Sequence, residues 1–195
     1  MGSSRREVLS GLAALALLRG ERRWASAATP ACAPTPSQTE GPYFKAGAPR
    51  RSSLLEPGVG GVRLTVTGTV RGNDCAPIAG ARLDFWQADA EGGYDNAGFR
   101  LRGHQLTGAD GRYRLETVVP GLYPGRTRHI HVRVEATGYP VLTTQLYFPD
   151  EPGNRRDGIF RPALVMTVRD GAGGKQATFD FVLAGRGPAS AAPPG

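Results

Sequence analysis

From residue 62 to residue 183 the chain is written in short apolar runs, several with a period of two. Val62, Leu64, Val66 and Val70 alternate with Arg63, Thr65, Thr67 and Thr69, the pattern of a strand with one face in a core and the other toward solvent. Residues 81–88, 113–118, 142–148, 163–168 and 177–183 read as further strands. His129, Ile130, His131, Val132 and Val134 form another alternating segment. Turn signals separate them: Ala79-Gly80, a glycine loop over residues 89–96, Ala109-Asp110-Gly111, a Pro-Gly and Tyr-Pro turn over residues 120–125, and Gly138-Tyr139-Pro140, with a polar loop over residues 149–161. No amphipathic helix interrupts the series. About seven short strands joined by turns predict an all-β, antiparallel β-sandwich whose end loops carry the chemistry.

The two ends of the chain read differently. Arg5-Arg6 precedes a short apolar run over residues 12–18 and Ala25-Ser26-Ala27, an A-x-A-like cleavage site, so residues 1–27 are expected to be an export signal of twin-arginine type. The apolar run is too short to span a membrane. A bacterial periplasmic or extracellular location follows as an expectation, with no membrane attachment after cleavage. Residues 28–60 read as an extended arm ending in Tyr43 and Phe44, aromatics that need a surface to pack on. The sandwich occupies residues 61–184, and the Gly/Pro/Ala/Ser tail over 185–195 is expected to be disordered.

Composition supports one domain: 195 residues, 39% hydrophobic, with 28 Gly and 16 Pro. The formal charge of +7 suggests nucleic acid, but five arginines against two glutamates in the first 27 residues account for +3 of it and leave +4. No basic run interleaved with aromatics remains, so nucleic-acid binding is excluded as a main role. Two cysteines, Cys32 and Cys75, in an exported chain favour a disulfide over free thiols, and neither has a second Cys or His at metal-ligand spacing.

Candidate chemistry gathers after residue 120. On a strand, His129 and His131 leave the same face and can bind one metal, although such a pair also fits two polar residues on a solvated face. The chain has only three histidines. Tyr123 lies six residues upstream on a turn that can fold its phenol back, and the glycines at 92 and 93 present Tyr94.

In order along the chain, Gln38 to Phe44 (QTEGPYF), Phe85 to Tyr94 (FWQADAEGGY), Thr107 to Tyr123 (TGADGRYRLETVVPGLY), Arg126 to His131 (RTRHIH) and Thr144 to Phe148 (TQLYF) resemble the intradiol ring-cleavage dioxygenases, the family of protocatechuate 3,4-dioxygenase and catechol 1,2-dioxygenase. The resemblance implies a transthyretin-like sandwich holding non-haem Fe(III) through Tyr94, Tyr123, His129 and His131. Phenolates are hard anionic donors that favour the ferric state, and imidazole suits either state. It further implies a catechol-type substrate and O2, displacement of Tyr123 by the substrate, and a cis,cis-muconate-type diacid product. Arg126 and Gln145 match the residues that face the substrate, while Arg128 is expected to be a surface charge. Thr127 and Arg128 stand where the family often has a proline, which bears on how Arg126 is oriented. The long helical N-terminal region used by catechol 1,2-dioxygenases for dimerisation has no counterpart here, and oligomeric state stays open. Two alternatives stand beside this reading. One is a non-catalytic transthyretin-like or carboxypeptidase-regulatory-like binding module, which needs neither Tyr94 nor the histidine pair. The other is a zinc or copper hydrolase that adds His104, placed by its Gly/Thr-rich surroundings in a loop.

Overall fold

The structure, a computed structural model, describes residues 32–185. The export signal expected in residues 1–27 and all but the first residue of the tail lie outside them. Among the described residues nine strands form: β1 (Arg63–Gly72), β2 (Arg82–Trp86), β3 (Arg102–Leu106), β4 (Arg112–Val118), β5 (His129–Glu135), β6 (Leu142–Tyr147), β7 (Thr167–Gly171), β8 (Gly174–Thr178) and β9 (Phe181–Leu183). One sheet runs β4-β1-β8-β7 with β9 also paired to β1, and the second runs β3-β2-β5-β6. The pairings are antiparallel except those of β1 with β8 and β9.

Period-two patterning decides which residues meet between the sheets. Leu64, Val66 and Val70 of β1, Leu83 and Phe85 of β2, Leu115 of β4, and Ile130, Val132 and Val134 of β5 all join one buried cluster. Each such side chain taken from water contributes roughly 1.5–3 kcal/mol. On β5 this leaves the odd positions, His129, His131 and Arg133, on the sheet's other face.

Three elements differ from the sequence reading. His104 is on a strand, β3, and not in a loop; it pairs with Asp84 of β2, which places it two strands away from β5. The stretch expected as a strand over 163–168 begins instead as a 3-10 turn, Pro162–Leu164, because proline supplies no amide for a ladder, and β7 starts only at Thr167. The expected strand over 177–183 is split. Asp180 breaks the ladder by accepting the amide of Thr69 through its own side chain.

The arm is tied down along its length. Cys32 is bonded to Cys75, and the Cys32 amide donates to Asn73 O at 2.8 Å. The arm then crosses the outer face of the second sheet from edge to edge. The Gln38 amide donates to Thr143 O of β6, Gly41 lies against His131 of β5, Phe44 packs edge-on to Trp86 of β2, and the His104 amide of β3 donates to Pro49 O. This strap covers the face that carries His129 and His131.

Candidate metal centre

The strand register builds the first half of the site. His129 and His131 project from β5 on the strapped face, and their Nε2 atoms stand 3.1 Å apart. The Nδ1 of His129 lies 2.6 Å from Thr127 O. A carbonyl can only accept, so Nδ1 carries the proton and Nε2 keeps its lone pair free. His131 stacks on Trp86, its partner on β2, with ring centroids 4.8 Å apart and planes 7° from parallel. Its far side is closed by the strap: a Cβ on Gly41, whose φ is +72°, would come within 3.3 Å of the His131 Cε1. His131 Nδ1 is buried with no hydrogen-bond partner among the described residues.

Backbone-to-backbone packing of two glycine loops builds the second half. The Gly121 amide donates to Asp89 O at 2.6 Å, and a Cβ on Gly121 would lie 2.4 Å from the Gly92 nitrogen. Gly92 in turn would strike Leu122 O at 2.1 Å if it carried a Cβ, and its φ of +93° already favours glycine. Only side-chain-free residues let the loops touch. Their contact brings Tyr94 and Tyr123 edge to face, with centroids 6.0 Å apart. Tyr123 is then 6.0 Å from His129 and Tyr94 6.4 Å from His131, centroid to centroid.

Two phenols and two imidazoles thus enclose one space. Nitrogens bound side by side to one ion at about 2.1 Å lie about 3.0 Å apart, close to the separation of the two Nε2 atoms. Burial pushes His129 down to about 4, and it pushes His131 well down too, aided by His129 and Arg126, so both rings stay neutral with lone pairs available. Burial pushes the Tyr94 phenol up, with Tyr123 adding to it, so without a cation that oxygen keeps its proton. A bound metal inverts that preference. The donor set, two hard oxygens and two imidazoles, suits Fe(III). Among the described residues no three of His, Cys, Asp and Glu group as a metal site, and the His104 Nδ1 is engaged at 2.7 Å by Ala48 O.

Arg126 and Gln145 meet beside the rings. Arg126 Nη2 donates to Gln145 Oε1 at 2.6 Å and Nε donates to Asp157 Oδ2 at 2.9 Å. Burial alone would lower Arg126, but its hydrogen bond to Asp157, foremost among the neighbours that oppose burial, helps hold it above its usual value. Gln145 is fixed in turn by donating to Thr39 O of the strap and accepting from the Tyr147 hydroxyl. Thr127 does what a proline could not: its amide donates to Asp157 Oδ2 at 3.0 Å, which sets the carboxylate that aims Arg126. Arg128 is no free surface charge. Its guanidinium holds Glu151 at 2.7 Å and also donates to Pro120 O, pinning the turn that carries Tyr123.

Sequence reasoning missed three contributors. Tyr43 stacks on Tyr94 with centroids 4.1 Å apart, Asp157 arrives from the polar loop over 149–161, and Arg102 lies against the Tyr94 ring. Tyr43 had a signal, an aromatic on an arm in want of a surface; the other two have none in local spacing. Tyr113, by contrast, is a core residue, its hydroxyl donating to Phe179 O.

Comparison with known proteins gives concordant matches. Residues 39–185 match a family model described as Dioxygenase. The chain is 35% identical over 147 residues to a hydroxyquinol 1,2-dioxygenase of Rhizobium sp. (strain MTP-10005), covering 62% of this chain and 50% of that protein, so it spans about half the length of that relative. It is 30% identical over 185 residues to a chlorocatechol 1,2-dioxygenase of Rhodococcus opacus, covering 76% and 72%. Among solved structures, the dioxygenase domain of a dioxygenase and carbohydrate-binding fusion from Streptomyces sp. SirexAA-E superposes with a TM-score of 0.77 at 60% identity, over 79% of this chain and 100% of that one.

Proposed function

Since the chain belongs to the intradiol ring-cleavage dioxygenases, we propose that it is a non-haem Fe(III) enzyme that opens a catechol-type ring with O2 to a cis,cis-muconate-type diacid. The observation that carries the proposal is the convergence of Tyr94, Tyr123, His129 and His131 on one space beside the Arg126–Gln145 pair. Iron held by those four residues would activate the bound catecholate toward O2.

The chain's own residues divide the remaining work. His129 and His131 stay neutral and fixed, one by Thr127 O and the other by Trp86. Tyr94 is stacked under Tyr43 and is assigned as the phenol that stays. Tyr123 sits on an outer turn, where its carbonyl accepts the Arg126 amide at 3.1 Å; it is assigned as the phenol that leaves, its oxygen taking one of the two protons a catechol must lose. Arg126, permanently charged and held by Asp157, stabilises negative charge as it develops on the ring. The strap from Gly41 to Phe44 excludes water from the His131 side.

Export to the periplasm or the cell exterior is part of the same proposal. It is supported by the twin-arginine-like N-terminal sequence and by the Cys32–Cys75 bond, which oxidising compartments favour. Iron content, visible absorption, and O2 uptake with catechol, protocatechuate and hydroxyquinol test the function together. A colourless protein that retains no iron after loading and opens none of the three rings would refute it.

A further inference from the structure

Arg102, the first residue of β3, is among the largest fully buried side chains in the protein, 2% exposed. Its hydrogen bonds among the described residues go to neutral carbonyls: Nε and Nη2 donate to Asp95 O at 3.2 and 3.0 Å, and Nη1 donates to Tyr43 O. A guanidinium does not shed its proton to escape burial. Placing a full positive charge inside without an anion is unfavourable, and carbonyl dipoles answer it only in part. The aromatic surface over which it lies is Tyr94, with the Arg102 Cζ 5.9 Å from that ring's centroid.

We infer that Arg102 is the buried counter-charge of the Tyr94 phenolate and sets how strongly that oxygen donates to the iron, an inference that rests on reading Tyr94 as an iron ligand. A neutral phenol offers a cation only the weak attraction of its ring face, whereas a phenolate offers a full charge in a water-poor setting. The other nearby anion is Asp95. Its carboxylate faces solvent and is already shared among the amides of Ala97, Gly98 and Arg100.

The position serves Tyr94 in a second way. Arg102 bridges the carbonyl that follows Tyr94 and the carbonyl of the residue stacked on Tyr94, clamping the ring between loop and strap. Arg102 is therefore a positioning residue, acting on the reaction through Tyr94.

Charge and clamp are separable by substitution in the iron-loaded protein. A cation beside a phenolate lowers the energy of its electrons, so removing it moves tyrosinate-to-iron charge transfer to longer wavelength and makes the iron harder to reduce. Arg102→Met is expected to show both shifts. Arg102→Lys, which keeps the charge but not the bridge, should restore most of the wavelength and potential. Equal shifts in the Met and Lys variants, or none in Met, overturn the inference. If Arg102→Met does not fold, Arg102→Gln takes its place, and failure of both to fold assigns the residue to the framework and likewise overturns it. Tyr94→Phe is the control: an unchanged visible band there refutes the ligand assignment itself, whereas an altered band with a silent Arg102→Met refutes only the role of Arg102.

Discussion

Replacing Asp157 by asparagine isolates the charge that aims Arg126. The Arg126 and Asp157 side chains are 14% and 2% exposed. Three donors converge on this carboxylate: Arg126 Nε and the Thr127 amide on Oδ2, and the Ile159 amide on Oδ1. Asparagine has one acceptor oxygen. If that oxygen keeps the two donors at Oδ2, its own amide confronts the Ile159 amide, donor against donor. Losing a charged acceptor for a buried donor costs about 1–3 kcal/mol. A loss near 2 kcal/mol lowers Tm by about 4–8 °C in a chain of this size. The pH dependence identifies the cause. Burial alone would raise Asp157, but its hydrogen bonds from Thr127, Ile159 and Arg126 outweigh that and hold it below the usual carboxylate range. Its contribution is therefore complete above the unfolded value of about 3.9 and is lost as pH falls through the lower folded value. Denaturant unfolding of both proteins from pH 7 to pH 3 should show the gap between them closing below about pH 4. A gap of constant size across that range would refute the charge-based account.

Three further outcomes are expected. Arg126→Leu should keep its iron while turnover falls about a hundredfold or more, from the loss of roughly 3 kcal/mol of charge stabilisation; stopped-flow mixing of the anaerobic substrate complex with O2 reads the step, and a normal rate would remove Arg126 from the reaction. Tyr94→Phe and Tyr123→Phe should each shift or abolish the visible band while Tyr113→Phe, whose hydroxyl donates to Phe179 O in the core, should not, so absorption spectra of the three purified variants check the ligand pair. Opening the Cys32–Cys75 bond with Cys32→Ser and Cys75→Ser together should lower stability by roughly 4 kcal/mol for a closed segment of 43 residues, as read by denaturant titration.

Much of this molecule was legible in order of locality. β5 announced itself through Val132 and Val134, and the same period of two put His129 and His131 on one face. The glycines at 92 and 121 marked the loops that present the two tyrosines. β3 was illegible because Arg102-Gly103-His104-Gln105-Leu106 has no apolar alternation. Its first residue is a buried arginine, and the Cβ that Gly103 lacks leaves room for Leu54. Asp157 and Arg102 went unread for a related reason. Each reaches its partner across a fold that only tertiary pairing creates, 31 residues from Arg126 in one case and 59 from Tyr43 in the other. Local spacing carries no trace of such contacts, whereas a turn or a strand face is written within a few residues.

The strap across the second sheet has a kinetic consequence. Gln38 reaches Ile159 across 121 residues, and Gln145 holds Thr39 across 106. Contacts of such separation form late, because the loops they close carry little reward until the sheet beneath exists. Such a wall can lift by local opening that leaves the four strands paired. Faster amide exchange at Gln38, bonded to Thr143 O, than at Val132 within β5 would report such opening. A site walled on one side by a strap hinged at Cys32 and Cys75 can admit an ion after the sandwich has folded, without unfolding it again.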